Sequence, residues 1–331
     1  MGLFLVIIVI VFGGKNKMLK KPIPVILDGD PGHDDAIGWV VANASEDFNI
    51  LAITAVNGNC STAKAAYNSL RIAALIGYDG PVAKGQDNPL YVESLKAPTN
   101  VHGESGLDGP ALPEPKHPLD NLSAVELMSK LISESNEKVV IIATGPLTNV
   151  AALLLTHPEV KENIAHISIM GGGIQFGNWT PAAEFNILID PEAADIVFKS
   201  GIHIFMAGLD VTEKALVCQP DVQRIKEIGN PVSEIVWKWL DFFYQFHHKL
   251  GYPGAPMHDL CAVMVLIHPE VFTLKDMYVE VETASDYSKG TTVGDYYGIT
   301  GKKPNCTCLM DVNREQFIDY MIKYIEKYSE V

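Results

Sequence analysis

Four aspartates stand within eight residues near the start of the chain, in the stretch ILDGDPGHDDA over residues 26–36. They directly follow an apolar run and are Asp28, Asp30, Asp34 and Asp35. Like charges this close repel, and apolar surroundings remove their hydration, so such a cluster needs a cation or a shared proton. The spacing therefore predicts a metal site.

Small polar residues also follow the other apolar runs, as Asn57-Gly58-Asn59, Thr144-Gly145 and Gly171-Gly172-Gly173. In an open parallel sheet, the ligand site forms at the carboxyl ends of the strands, where these residues would meet. They include no Lys or Arg. Oxygen donors without basic residues favour a hard divalent cation, calcium or magnesium, over zinc or a phosphate group.

A second group of polar residues lies in the stretch NWTPAAEFN, which holds Asn178, Glu184 and Asn186. Glu184 and Asn186 are two residues apart, so in an extended segment their side chains would point to the same side. Together the three supply the donors and acceptors that a polyhydroxylated ligand such as a sugar requires. The alternative is that this stretch is only a polar turn.

Two histidines complete the candidate site. His258 stands beside Asp259 after the Gly/Pro-rich loop 251–256, where Asp259 could also be a simple helix cap. His102 lies in the stretch 97–118, which has no predicted secondary structure, and loops of this length tend to be functional.

The acidic turn also has features of three unrelated kinds of structure, each with residue requirements of its own. An EF-hand loop beginning at Asp28 needs Gly at its sixth position and Glu at its twelfth, but those positions hold His33 and Trp39. Helix-capping acids account for Asp34 or Asp35 but not for all four aspartates. An aspartyl-phosphate phosphatase shares the Asp-x-Asp after the first strand but needs a second acidic pair, which we do not find. It stays open as a Mg²⁺-dependent alternative.

The elements that must position these residues alternate between short apolar runs and amphipathic stretches, the pattern of βαβ units around a parallel sheet. Strands are predicted over 24–27, 50–56, 139–143, 166–170 and 202–207, and helices over 34–43, 61–76, 148–155 and 191–199. Asp190 is the predicted N-cap of the last of these helices and Pro191 its first residue. Beyond them we predict a long helix over 232–250, a helix from 259, edge strands such as 278–283 and a closing helix from 313. The predicted fold is one α/β domain with a mostly parallel, doubly wound-like central sheet.

Composition narrows the function classes. The chain has 331 residues, 47% of them apolar, and a formal net charge of −15, without the clustered Lys and Arg that a nucleic-acid partner requires. Its five cysteines include no C-x-x-C pair, so a disulfide framework or a zinc site is not expected. This profile is typical of a globular enzyme.

The motifs taken together resemble the nucleoside hydrolase family, whose chains open with Asp-x-Asp-Pro-Gly-x-Asp-Asp. The matching stretches occur in family order from about residue 20: DGDPGHDDA, ATGPLTN, IMGGG, GNWTPAAEFNI, IDPEAA, GLDVT and the His258-Asp259 pair. Within the family, NVHGESGLDGPALPEP and IGNPVSEIVWKWLDFF most resemble the bacterial pyrimidine-specific ribonucleoside hydrolases. One departure is Leu260, where relatives commonly have Pro.

The resemblance implies a role for each matching residue. One Ca²⁺ would be bound by Asp30, Asp35, the backbone carbonyl of Thr144, and Asp259. Asp30 would be the general base, and His258 or His102 would protonate the leaving base, since a histidine pKa near neutrality suits a proton donor. The substrate would be held by Asp34, Asn59, His102, Asn178, Glu184, Asn186, Phe243 and His247, of which Phe243 and His247 are four apart on the long helix and so share a face.

The implied reaction is calcium-dependent hydrolysis of ribonucleosides, with cytidine and uridine as the expected substrates, in nucleoside salvage. A purine-accepting or broad-specificity enzyme stays open, as does a nucleoside- or sugar-binding protein without catalysis. The resemblance also implies a homo-oligomer, a dimer or a tetramer.

Residues 1–19 lie outside the resemblance, and residues 20–331 form the predicted hydrolase domain. The apolar run at 3–12 is shorter than the roughly 20 residues of a membrane span, and its positive charges follow it, unlike those of a secretory signal. We interpret 1–19 as an apolar or disordered extension of a cytoplasmic protein, with export or anchoring as the alternative.

Overall fold

A computed structural model describes residues 21–91 and 98–329. The predicted N-terminal extension lies outside these residues. The strands are β1 Ile23–Gly29, β2 Phe48–Ala55, β3 Val82–Lys84, β4 Val139–Ala143, β5 Ile164–Met170, β6 Ile204–Ala207, β7 Leu216–Val217, β8 Ala255–Pro256, β9 Phe272–Met277, β10 Val279–Val281, β11 Thr292–Gly294 and β12 Cys306–Val312.

The helices flank the central sheet on both faces. They are α1 His33–Ala44, α2 Thr62–Ile76, α3 Thr99–His102, α4 Ala124–Glu134, α5 Thr148–Thr156, α6 Phe185–Ile189, α7 Pro191–Phe198, α8 Leu209–Thr212, α9 Gln219–Ile228, α10 Pro231–Lys249, α11 His258–Ile267 and α12 Arg314–Glu326. Within the two described ranges, no helix is both long and apolar enough to cross a membrane.

Eight strands form one sheet in the order β3-β2-β1-β4-β5-β6-β12-β9, and only β9 runs antiparallel to its neighbour in this sheet. The chain builds outward from β1 to β3, then returns to place β4 on the other side of β1. The sheet therefore has its topological switch point between β1 and β4, where α/β folds bind their ligands. The prediction of a single, mostly parallel α/β domain is confirmed.

The central strands form as expected from their residues. In β4, all five residues of VVIIA are buried, as required when helices cover both faces of a parallel sheet. The predicted helices agree with the structure to within two residues at each end, and Asp190 caps α7 by accepting from the backbone amide of Ala193 at 3.1 Å.

The C-terminal strands differ from the prediction. The segment predicted over 278–283 contains β10, which pairs with β11 in a separate two-stranded sheet and not at an edge of the central sheet. At this end of the central sheet the edge strand is β9, and β12 lies inside the sheet between β6 and β9. β12 pairs with strands distant in the sequence, and such non-local pairing leaves no mark in local periodicity.

Candidate active site

The acidic turn lies at the switch point because β1 ends at Gly29 and α1 begins at His33. Asp34 and Asp35 occupy the first turn of α1, and Asp259 occupies the first turn of α11, which packs against α1. Carboxylate oxygens of these three residues lie within 4.8 Å of one another. Two helix N-termini thus direct their favourable dipole ends at one group of buried acids.

Asp30 lies next to this group and is fully buried. Its Oδ2 accepts a hydrogen bond of 2.6 Å from the backbone amide of Asn59, while Oδ1 has no hydrogen-bond partner among the described residues. Glycine surrounds the carboxylate: a Cβ at Gly58 would overlap Oδ2, and one at Gly145 would lie 2.6 Å from Oδ1. Oδ1 of Asp30 is therefore tightly enclosed, has no hydrogen-bond partner among the described residues and lies beside three other acids.

The acids carry a strong electrostatic penalty. Burial raises the pKa of Asp34 to about 7, with Asp35 adding to the rise, and it raises the pKa of Asp35 as well. Burial and the neighbouring acids raise the pKa values of Asp30 and Asp259 well above their usual range. Among the residues that the structure describes, no Lys or Arg lines the cavity above them. A divalent cation with oxygen ligands fits this donor set, because it would neutralise the cluster and satisfy Oδ1 of Asp30.

Asp28 belongs to a different network from the other three aspartates. Its Oδ1 accepts hydrogen bonds from the Thr54 hydroxyl at 2.6 Å and from the Asn149 side-chain amide at 2.8 Å. These bonds tie the end of β1 to β2 and α5. Asp28 therefore has a structural role: it holds together the elements that carry the site.

Thr144 directly follows β4 and contacts both Asp35 in the acid cluster and Asn186 in α6. Its hydroxyl donates to Asp35 at 2.6 Å, and its carbonyl accepts from the side-chain amide of Asn186 at 2.8 Å. A carbonyl oxygen has two lone pairs, so this bond leaves one for a cation.

Glu184 and Asn186 reach the cavity, but not from an extended segment as predicted. Glu184 is the N-cap of α6 and Asn186 lies in the first turn of that helix. The Glu184 carboxylate accepts from the backbone amides of Gly172, Asn186 and Ile187 at 2.9–3.1 Å. Burial nevertheless raises its pKa to about 7. Asn178 fixes the same turn, since its Oδ1 accepts from the Phe185 amide at 3.0 Å.

The other end of the cavity is aromatic. Phe243 and His247 lie on one face of α10, as predicted, with ring centroids 4.4 Å apart in an edge-to-face arrangement. His258 lines the same cavity, with Nδ1 2.8 Å from the Thr212 hydroxyl. His102 is the last residue of α3, a short helix within the stretch 97–118 where none was predicted, and it stacks on Phe243 with centroids 5.2 Å apart.

The expectation that these histidines have near-neutral pKa values is wrong. Burial, with His247 nearby, lowers the pKa of His258 to about 3, and burial beside other imidazoles lowers that of His102 well below its usual range. Burial disfavours the charged imidazolium, and the sequence gives no sign of how deeply each ring lies.

A cavity of about 370 Å³ brings the two ends together. Two predicted residues, Asp30 and Asp35, do not line it and lie fully buried beneath its floor. The other predicted site residues all line it: Asp34, Asn59, His102, Thr144, Asn178, Glu184, Asn186, Phe243, His247, His258 and Asp259.

Part of the cavity wall is formed by residues that the sequence did not predict. Phe246 and Tyr252 line the aromatic end, and the Tyr252 hydroxyl donates to the carboxylate of Glu213, another lining residue. Phe246 could have been found, because it lies three residues after Phe243 on the same helix. Nothing in the sequence connects Tyr252 with Glu213.

Comparison with known proteins assigns the chain and its fold to the nucleoside hydrolases. The chain belongs to the inosine-uridine preferring nucleoside hydrolase family, whose profile matches residues 25–319. It is therefore an enzyme, a hydrolase acting on N-glycosyl bonds. This family membership excludes the two other classes of protein that the sequence left open, a phosphatase and a binding protein without catalysis.

Two relatives are described as pyrimidine-specific ribonucleoside hydrolase RihA. The protein from Salmonella paratyphi B is 52% identical over 310 residues and that from Escherichia coli O8 is 53% identical; each alignment covers 93% of this chain and 99% of the relative. Among solved structures, a purine-preferring ribonucleoside hydrolase from Gardnerella vaginalis superposes with a TM-score of 0.87 at 27% identity, covering 93% of this chain and 99% of the other. An inosine-guanosine nucleoside hydrolase gives 0.82 at 26% identity, covering 92% and 98%.

Proposed function

We propose that this enzyme hydrolyses pyrimidine ribonucleosides, cytidine and uridine, to the free base and ribose in a calcium-dependent reaction that serves nucleoside salvage. Similarity supports the pyrimidine preference, since the relatives described as pyrimidine-specific are 52–53% identical and the purine-type structures 26–27%. The observation that carries the mechanism is the buried, unpartnered Oδ1 of Asp30 beside three other acids.

In this proposal, Asp30, Asp35, the Thr144 carbonyl and Asp259 would hold Ca²⁺. A bound Ca²⁺ would stabilise the clustered carboxylates and lower the pKa of the attacking water. The fit rests on the oxygen-only donor set and on the glycines that hold Asp30 in place.

The protein's own residues supply the rest of the chemistry. Asp30 accepts a proton from the attacking water, whose oxygen adds to C1′ from the face opposite the base with inversion. The bond between C1′ and the base nitrogen breaks, and its electron pair leaves with the base. Asp34, Asn59, Asn178, Glu184 and Asn186, all on the cavity wall, hold the ribose hydroxyls.

The leaving group is handled at the aromatic end. Phe243 and His247 pack against the base, and His258 or His102 can donate only as a neutral imidazole, because burial lowers both pKa values. A neutral imidazole is a weak acid. A pyrimidine needs less help, because its ring oxygen takes up the developing charge, and this agrees with the proposed preference.

The test is release of reducing sugar from uridine, cytidine, inosine and adenosine, with and without a calcium chelator. We expect pyrimidine cleavage that the chelator abolishes, and a loss of about a thousandfold in kcat for Asp30→Asn, which removes the base but keeps the shape. Asp79→Asn, at an exposed surface acid, is the matched control.

Each part of the proposal has its own contrary outcome. Faster cleavage of inosine than of uridine would replace the pyrimidine preference with a purine-accepting enzyme. Full activity after exhaustive chelation would remove calcium. Nucleoside salvage, the cytoplasmic location and the homo-oligomer stay predictions; light scattering of the purified protein measures the oligomer.

A further inference from the structure

His33 stands inside the acidic turn but takes no part in the acid cluster. Its side chain is fully buried at the start of α1, and both ring nitrogens contact the loop 102–109. Nδ1 lies 2.9 Å from Nδ1 of His102, and Nε2 lies 2.8 Å from the backbone carbonyl of Asp108. One side chain therefore joins the first helix to the loop that forms the aromatic end of the cavity.

The loop is organised around Asp108. Its carboxylate accepts from the backbone amides of Glu104 at 2.9 Å and Ser105 at 3.1 Å, and its own amide donates to the carbonyl of His102 at 2.9 Å. These bonds close the loop on itself. His33 connects this closed loop to α1.

Ring stacking adds to the connection. The His33 ring stacks on Phe242 and on His102, with centroids 5.0 and 5.2 Å apart and interplanar angles of 19° and 20°. Gly32 makes room for this packing, because a Cβ there would lie 2.6 Å from Cε1 of His102. The position of the His102 ring thus depends on both residues that precede Asp34.

The hydrogen bonds also select a tautomer. A carbonyl oxygen only accepts, so Nε2 of His33 carries a proton. The contact between the two Nδ1 atoms needs a second proton. Placing it on His33 would bury a cation, which is costly even with the Asp108 carboxylate nearby, whereas placing it on Nδ1 of His102 leaves both rings neutral. The proton therefore belongs on Nδ1 of His102, so that Nε2 of this ring is an acceptor and His258 is the remaining candidate donor to the leaving base. The His33 backbone amide also points at this Nδ1 from 3.3 Å, a bond that a protonated Nδ1 could not accept; it is longer and weaker than the 2.9 Å contact between the two rings, which we take as the one that decides the tautomer.

We propose that His33 is a positioning residue that sets the ring orientation and the tautomer of His102 at the cavity wall. The inference deepens the proposed function and rests on it, because His102 affects turnover only if the cavity binds a nucleoside. The turn that carries the acids would thus also orient a histidine at the aromatic end of the cavity, where the nucleobase is proposed to bind.

The first test reads the tautomer directly and needs no activity. Histidine ¹⁵N chemical shifts distinguish protonated from unprotonated ring nitrogens, and the signals lost in His102→Gln identify that residue. We expect Nδ1 of His102 to be protonated in the wild-type protein and the proton to move toward Nε2 in His33→Phe, which keeps the stack but lacks both nitrogens. A wild-type His102 protonated at Nε2, or no change in His33→Phe, would overturn the proposal.

Two conservative variants separate the two bonds of His33. In His33→Asn, the amide oxygen can accept at the Nδ1 position, so we expect the wild-type tautomer of His102. In His33→Gln, the amide nitrogen can donate to the Asp108 carbonyl at the Nε2 position. We therefore expect the contact with the loop to be retained and the wild-type tautomer of His102 to be lost. Equal tautomer populations in these two variants would overturn the assignment.

Kinetics supply the functional readout. Removing a group that orients an active-site residue typically costs about tenfold to a hundredfold in activity, and we expect His33→Phe to lower kcat by that factor with a smaller change in KM. In a His102→Gln background the same substitution should have no further effect, since the lost interaction runs through that ring. Additive losses would instead indicate general destabilisation, which thermal unfolding of each variant measures. A wild-type enzyme inactive on every nucleoside would refute the proposed function while leaving the ¹⁵N result to decide the role of His33.

Discussion

The two ends of the cavity are built in different ways. The acidic end consists of strand ends and first helical turns, with glycines pressed against fully buried carboxylates at the switch point of the sheet. The aromatic end is assembled from the loop 102–109, α10 and the segment before α11, and its contacts are ring stacks and single hydrogen bonds. The first is a buried group of acids, which the proposed cation would neutralise, and the second is a wall of aromatic and imidazole rings. If the proposal holds, the acidic end carries the chemistry and the aromatic end selects the base.

The largest effect is expected from a substitution that adds a side chain at the acidic end without changing a charge. In Gly145→Ala, the new methyl group would lie 2.6 Å from Oδ1 and 3.0 Å from Cγ of Asp30, so the carboxylate must move. A displacement of this kind costs about a hundredfold in rate, and we expect that loss in kcat. Gly38→Ala is the control, because a Cβ there meets its nearest neighbour at an ordinary 3.6 Å. Equal activity of the two variants would show that the acidic end tolerates movement.

Calcium should stabilise the fold through the acidic end alone. A ligand that binds the folded state adds about 2.7 kcal/mol of stability at a concentration one hundred times its Kd. We expect thermal unfolding to shift upward with calcium in the wild-type protein and to stay unchanged in Asp259→Asn. His247→Gln, at the aromatic end, should keep the calcium shift. Loss of the shift in both variants would contradict the separation of the two ends.

A histidine outside the site tests the cause given for the low pKa values at the aromatic end. Burial, with His203 nearby, lowers the pKa of His166 in β5 to about 4. The unfolded chain, with a histidine pKa near 6.5, then binds more protons between these values, so stability falls as pH falls from 6.5 toward 4. At pH 5 the loss is about 2 kcal/mol. Denaturant unfolding of His166→Phe should show a correspondingly flatter pH dependence; an unchanged slope would refute burial as the cause.

The smallest effect is expected at the rim of the aromatic end. Tyr252→Phe removes the hydroxyl that donates to Glu213, which costs about 1 kcal/mol of folding stability. Because both side chains line the cavity, we also expect a small rise in KM with little change in kcat. Tyr244→Phe, which loses an exposed contact to His248 outside the cavity, is the control. A fall in kcat equal to the rise in KM would place Tyr252 in the chemistry instead of the wall.

The same contrast explains what the sequence could reveal. The acidic end is predictable because its residues are close in the sequence and follow predicted strands, so Asp30, Asp34 and Asp35 come from one turn. Phe243 and His247 follow from helical spacing. The contacts of His33 with His102, and of Tyr252 with Glu213, join distant segments whose proximity exists only in the folded chain. Burial is invisible for the same reason, and this is why the prediction of the histidine pKa values is wrong.

The placement of β12 has a consequence for synthesis of the protein. This strand, formed by residues 306–312, fills the position between β6 and β9, so the central sheet stays incomplete until almost the whole chain has left the ribosome. A chain that stops before it would leave β6 with an open edge and β9 without its partner in the sheet. Unpaired strand edges recruit other strands, so products truncated near the C-terminus should aggregate even though every residue of the acidic end has already been made.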